Sequence, residues 1–166
     1  MATRFSHNAR IDAPIEAVYT AYGSEEYWRE RLLAVGTDRD SLDDFASTSD
    51  GVRVTITQHI PEDDIPDSAR KVLPGQLTIV RTCTYCGFDG RTFTGSARAE
   101  AAGGLGLING DATAVDRDGV AEETVSGQVK VSVPLLGGKL EKMVVSHLDR
   151  LFEAEYRHLN RWTAAR

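Results

Sequence analysis

Residues 133–162 read VPLLGGKLEKMVVSHLDRLFEAEYRHLNRW, and a change of pattern inside this stretch decides the fold. Up to Val133 the chain alternates apolar and polar side chains. Pro134 and the Gly137-Gly138 pair interrupt that alternation, and the apolar positions then recur at a spacing near 3.6 as far as Trp162. This predicts a helix over residues 139–161, roughly 35 Å long at about 1.5 Å per residue, enough to cross a whole sheet. Advancing by about 100° per residue from Leu140 puts Val144, Leu148, Leu151, Leu159 and Trp162 in one sector between about 20° and 100°. Lys142, Asp149, Glu153, Arg157 and Asn160 fall on the opposite face. Glu155 lies in the middle of the apolar sector and is the exception to an otherwise clean pattern. A carboxylate in such a place is costly unless paired, and otherwise its pKa rises.

Outward from this helix, most of the chain reads as strands. Residues 3–11 place Phe5, His7, Ala9 and Ile11 on one face and Arg4, Ser6, Asn8 and Arg10 on the other, the period of a half-buried strand. Asp12 and Pro14 then predict a helix start, with Asp12 as the cap and Ile15, Val18, Tyr19 and Tyr22 as the apolar side. Gly23 ends that helix, and Ser24 opens a second one carrying Tyr27, Trp28, Leu32 and Leu33. Strands resume at 41–49 and 52–60 around the Ser49-Asp50-Gly51 turn. From 61 to 75 the alternation stops, and Ile65, Ala69, Val72 and Leu73 predict a short helix or lid-like loop. Strands at 76–86 and 91–101 form a hairpin around Gly87-Phe88-Asp89-Gly90, and strands at 105–115 and 120–133 bring the number to seven. The order predicts an α+β fold: a seven-stranded curved antiparallel sheet wrapped around a long C-terminal helix, with two short helices after strand 1. Short connections and the absence of repeats predict a single domain over residues 1–166.

Composition narrows the function classes. With 25 acidic against 19 basic residues in 166 and a net charge of -6, no broad positive field is available for phosphate backbones, so no nucleic-acid partner is expected. The first ten residues lack the apolar core of a signal peptide, and no stretch approaches the roughly 18 apolar residues of a membrane span, so a cytoplasmic protein is expected. Cys83 and Cys86 have CxxC spacing, but they end a strand before a turn instead of opening a helix that would favour a thiolate. Zinc would need two further ligands, and His59, His147 and His158 show no ligand spacing. Gly103-Gly104-Leu105-Gly106 opens no helix and so lacks the N–H donors of a phosphate loop. No metal and no cofactor are expected.

Candidate site residues follow from polar groups on apolar faces. Leu77, Ile79, Arg81, Cys83 and Tyr85 share one strand face, which brings Arg81 toward Glu155; a one-residue shift would turn Val80 inward instead. Glu155 then either meets a ligand's polar group, as a contact or as an acid or base, or joins an internal ion pair, or frays to solvent. His7 and Gln58 either orient a ligand or bond to the backbone as core groups. Gly95, Ala97 and Ala99, on the face that carries Phe93, either admit the helix closely or leave room for a ligand. Tyr27 and Trp28, with Ile65, Val72 and Leu73, either rim a cavity mouth or, for the two aromatics, belong to the core. The ligand-binding set is therefore His7, Trp28, Gln58, Arg81, Tyr85, Phe93, Leu151, Glu155 and Leu159. No nucleophile, base and orienter combination accompanies it.

The element order, the Phe5-Ser6-His7 strand, the Asp12-Ala13-Pro14 lead into a helix pair, and the passage from Val133-Pro134 to Gly137-Gly138-Lys139-Leu140-Glu141 together resemble the START-like, birch-pollen-allergen-like helix-grip superfamily. Within it the chain is similar to an uncharacterised actinobacterial branch. The resemblance implies an apolar pocket between sheet and final helix, used by relatives for lipids, sterols, polyketides or plant hormones. It supplies no shared catalytic residue. The expected function is a binding or carrier protein for a small hydrophobic or lipid-like molecule, monomeric or homodimeric. The alternatives are a polyketide-cyclase-like or hydratase-like enzyme using the pocket carboxylate, and an interaction module whose cavity is filled by its own side chains.

Overall fold

Alternating and helical periods settle into eleven main elements in the computed structural model, which describes residues 2–73 and 76–166. They run β1 (Thr3–Ile11), α1 (Ile15–Tyr22), α2 (Glu25–Val35), β2 (Ser41–Thr48), β3 (Gly51–Ile60), α3 (Asp67–Arg70), β4 (Leu77–Cys86), β5 (Thr92–Ala101), β6 (Gly106–Arg117), β7 (Val120–Val131) and α4 (Gly137–Ala164). The strands form one antiparallel sheet in the order β1-β7-β6-β5-β4-β3-β2. First and last strands are thus neighbours, and α1 and α2 carry the chain from one sheet edge to the other. The expected curved seven-stranded sheet, the long C-terminal helix and the two short helices after strand 1 are all present.

The β2 edge is blunted against pairing with another sheet. It carries Asp43 and Asp44, and its register with β3 shifts between Leu42 and Asp44. Near the middle of the sheet, Gly110 of β6 faces Gly127 of β7. A Cβ on Gly127 would strike the Asn109 carbonyl and lie 2.6 Å from the Gly110 Cα, and backbone atoms cannot yield as a side chain would. Glycine is required there by a close approach of two strands.

The final helix is longer than its sequence period suggests, 28 residues from Gly137 to Ala164. Its start is pinned by Glu141, which accepts from the Thr3 hydroxyl and from the Val131 N–H, each at 2.9 Å, and so ties α4 to β1 and β7. Its end is held by Leu159 and Trp162, packed with Tyr27 and Trp28 of α2. Three apolar clusters surround the space left between helix and sheet. One joins α1 and α2 to the sheet through Val18, Trp28, Val54 and Phe93; one joins Phe5 and Val129 to Leu148 and Phe152; the third joins Ile65 and Ala69 to Val133 and Leu140.

Some local expectations change. Asp12 does not cap α1, which begins after Pro14 without a side-chain cap; its N–H instead donates to Asn160 Oδ1 at 2.9 Å, tying the end of β1 to α4. Ser24 does cap α2, accepting from the Tyr27 N–H. Leu33, expected on the apolar side of α2, is exposed because the buried face runs through Tyr27, Trp28, Arg31 and Leu32. The lid-like segment forms a 3-10 turn at Glu62–Asp64 and the single turn α3; its end, Pro74 and Gly75, lies outside the described residues. Ile65 and Ala69 are buried, whereas Val72 is exposed.

Gly127→Ala is expected to lower stability by about 1–3 kcal/mol, the usual range for forced overpacking. Urea unfolding followed by circular dichroism measures this, and an unchanged midpoint would show that β6 and β7 separate freely.

Candidate ligand-binding cavity

Between the concave sheet face and α4, the side chains leave a cavity of about 490 Å³. Much of its wall follows from small residues facing inward: Ala97 and Ala99 of β5 and Gly110 and Ala112 of β6 line it, opposite Leu148 and Leu151 of α4. Gly95 serves a different purpose, since a Cβ there would press on the Tyr85 ring at 2.7 Å. The small-residue run therefore does two things: Gly95 seats Tyr85, while the alanines leave open space.

One buried charged cluster interrupts the apolar wall. Glu155, from the middle of α4, receives two guanidinium groups. Arg31 of α2 donates through Nε at 3.1 Å and makes a second, shorter contact through Nη2 to the same Oε2. Arg81 of β4 donates through Nη1 to Oε2 at 2.9 Å and through Nη2 to Oε1 at 3.2 Å. Arg81 thus takes the inward register, and Val80 faces outward. Arg31 also lies over the Trp28 ring, 4.5 Å from its centroid, a cation–π contact that fixes the guanidinium. Burial would raise the Glu155 pKa, but the charges and hydrogen bonds of Arg31 and Arg81 override it and hold the group at about 2. Both arginines are stabilised as cations by Glu155 against the opposing effect of burial. At neutral pH Glu155 is an anion with its oxygens occupied. Of the readings open for Glu155 from sequence, the internal ion pair is the one present.

A second carboxylate on the cavity wall has the opposite character. Glu123 of β7 is 2% exposed and accepts from the Tyr22 hydroxyl at 2.6 Å. Burial pushes its pKa up, against the pull of that hydroxyl and of the Arg31 charge. The Tyr22 ring stacks on Tyr85 with centroids 4.2 Å apart, so the donor is held in place by aromatic packing.

At the edge of the cavity, Asp40 accepts from the Thr37 N–H at 3.0 Å, the Thr37 hydroxyl at 2.8 Å and the His59 N–H at 2.9 Å. The His59 ring lies beside it, Nδ1 at 3.5 Å from Asp40 Oδ1. Exposed Arg150 also borders this space.

Of the nine residues singled out from sequence, Gln58, Arg81, Tyr85, Leu151 and Glu155 line the cavity. Trp28, Phe93 and Leu159 lie behind its wall in the core, Trp28 donating its indole N–H to the Tyr22 carbonyl at 2.8 Å. His7 stacks on Tyr156 and borders a shallow outer groove instead. Of the aromatic and lid residues placed at a mouth, Tyr27, Ile65 and Leu73 line the cavity and Val72 does not. Sequence reasoning missed Arg31, Glu123 and Tyr22. The signals were present: Arg31 follows Tyr27 by four in a helix, and Glu123 alternates with Ala121 and Val125 on an inward strand face.

Cys83 is buried and Cys86 exposed, both as free thiols on opposite strand faces. Among the described residues, no group of three or more His, Cys, Asp or Glu side chains is placed to hold a metal ion. No helix there is long and apolar enough to cross a membrane.

A curved antiparallel sheet gripping a long helix over an internal cavity defines an α+β protein of the helix-grip kind. Comparison with solved structures agrees at the level of fold. The chain is similar to Ara h 8.0201, with a TM-score of 0.59 at 11% identity, covering 100% of each chain. It is also similar to the di-domain ARO/CYC StfQ from the steffimycin biosynthetic pathway, with a TM-score of 0.56 at 13% identity, covering 99% of this chain and 50% of that one. Residues 6–163 match the family described as "Protein of unknown function (DUF2505)", and the chain belongs to it. A relative, Uncharacterized protein Rv0481c of Mycobacterium tuberculosis, is 27% identical over 173 residues, which covers 98% of this chain and 97% of the relative.

The Glu155 clamp has a definite acid signature. Because its folded pKa of about 2 lies below the ordinary 4.5, its stabilisation is fully present above about pH 4.5 and is lost as the pH falls toward 2. Glu155→Gln, which leaves two buried cations without their anion, is expected to cost about 3–5 kcal/mol at neutral pH and to flatten that acid slope. Denaturant unfolding of both proteins between pH 7 and pH 2 checks it, and parallel profiles would contradict the clamp.

Proposed function

We propose that this protein binds or carries a small, largely apolar molecule in the cavity between sheet and α4. The observation that carries this reading is the cavity itself. A space of about 490 Å³, with walls such as Ala97, Ile108, Val125 and Leu148, falls within the roughly 300–1,000 Å³ of small-molecule sites. Ala97, Ala99, Gly110 and Ala112 are too small to fill the space they line, so a self-filled interaction module is the weaker account. Affinity comes from burial of ligand surface, and orientation from the few polar groups of the wall. Gln58, Arg81, Tyr85, Leu151 and Glu155 are the contacts proposed for the ligand. We place this activity in the cytoplasm, performed by a single domain spanning the chain.

A ligand of this kind is expected to copurify. Native mass spectrometry of gently prepared protein, followed by solvent extraction, should show added mass that extraction removes. Consistently unliganded protein that also takes up no fluorescent fatty acid would overturn the reading.

A second reading, acid–base catalysis on a molecule held in the same cavity, is favoured by one observation. Glu123 is a buried carboxylate whose pKa burial raises, with a positioned tyrosine hydroxyl beside it, a pairing that can pass a proton to or from a bound molecule. The cyclase-like fold neighbour fits that reading. Under it, Glu123→Gln should retain binding of whatever molecule copurifies but convert it at least about a hundredfold more slowly. Chromatography of the extracted molecule after incubation with each protein measures the difference, and equal conversion would remove Glu123 from the chemistry.

A further inference from the structure

Resting on the reading that the cavity takes an apolar ligand, we propose that this ligand carries a carboxylate, received by Arg31 and Arg81. The charged cluster is unbalanced. Two guanidinium groups converge on one carboxylate, and among the described residues Glu155 is the only acidic side chain in an ion pair with either. The pairing uses Nε and Nη2 of Arg31 and Nη1 and Nη2 of Arg81. Arg31 Nη1 and Arg81 Nε take no part in it, although a guanidinium offers about five N–H donors in a planar fork. Within this cluster the cations outnumber the anion by one, and N–H groups not bound to Glu155 remain in side chains that line the cavity.

The other acidic groups on the wall do not supply the missing anion. Glu123 accepts from the Tyr22 hydroxyl and makes no ion pair with either arginine, and burial raises its pKa. Asp40 is occupied by Thr37 and the His59 N–H. Asp64 and Asp111 are exposed to water. An unpaired charge facing an apolar wall is expensive, and a planar carboxylate matches a guanidinium fork through two parallel hydrogen bonds. A ligand acid would complete the cluster as a second anion between two cations, with its apolar body along the alanine and leucine walls. An alcohol or ester of the same skeleton supplies the apolar body without the charge. The rival geometry sends the apolar tail inward and leaves the carboxylate at the edge, beside exposed Arg150.

Isothermal titration at pH 7.5 with dodecanoate, 1-dodecanol and dodecylammonium, each below its micelle concentration, separates these possibilities. Dodecanoate is expected to bind at least about tenfold tighter than the alcohol, with the ammonium weakest. Arg81→Gln should bring acid and alcohol to similar affinity, because the remaining Arg31–Glu155 pair is neutral. Equal affinity of the wild type for acid and alcohol overturns the carboxylate assignment and leaves apolar binding standing. Failure of all three probes to bind overturns both. Loss of the acid preference in Arg150→Gln, with its retention in Arg81→Gln, places the anion at the edge and also overturns the proposal. If Arg81→Gln does not fold, Arg150→Gln decides: an acid preference retained there supports the proposal, and its loss overturns it.

Discussion

The rest of the structure depends on one buried carboxylate held by two guanidinium groups. Glu155 stands midway along α4, Arg31 comes from the helix that bridges the sheet edges, and Arg81 comes from β4 in the sheet. Three separate elements therefore meet through charge at the place where apolar packing is interrupted by the cavity. Apolar clusters hold α4 at both ends, through Leu140 near its start and Leu159 and Trp162 near its finish. Between those anchors Leu148 and Phe152 pack on Phe5 and Val129, while the ion cluster ties the cavity-facing side of the helix to α2 and β4. A buried ion pair is seldom a source of net stability compared with apolar packing, but it specifies geometry, because breaking it strands a charge.

The same constraint divides the polar groups of the cavity into two kinds. Glu155 is locked as an anion by its arginines and is structural in its protonation behaviour. Glu123 has the Tyr22 hydroxyl in place of a guanidinium, and burial raises its pKa. Two carboxylates on one wall are thus shifted in opposite directions, Glu155 down by its arginines and Glu123 up by burial. The wall has a guanidinium region around Arg31 and Arg81 and a separate tyrosine-bonded carboxylate, an arrangement suited to orienting an amphipathic molecule.

Much of the fold was legible from local periods. The switch from alternation to a 3.6 period after Val133 marks α4, and β1 begins and ends at the residues its alternation indicates. Turn chemistry located the hairpins within a residue or two. The site was only partly legible. Glu155 stood out because a carboxylate interrupts the apolar stripe of a long helix, and its pairing with Arg81 follows once the register of β4 is known. Arg31 did not stand out, because Leu32 and Leu33 drew the apolar face of α2 one residue around from where it lies. Glu123 was hidden for a related reason: Glu122 precedes it, and two adjacent glutamates read as a solvated strand end until pairing with β1 and β6 shows which one points inward. His7 alternates with core residues, yet β1 lies at the sheet edge, where the same face curves past α4 toward the outer groove.

The central claim is that the cavity receives an apolar molecule whose anionic end completes the arginine cluster. A crystal structure of the protein with dodecanoate bound tests it most directly. The account predicts the carboxylate within hydrogen-bonding distance of Arg31 or Arg81, and the hydrocarbon chain against Ile108, Val125 and Leu148. A carboxylate beside Arg150 with the chain pointing inward, or a chain lying in the outer groove along His7 and Arg157, would contradict it.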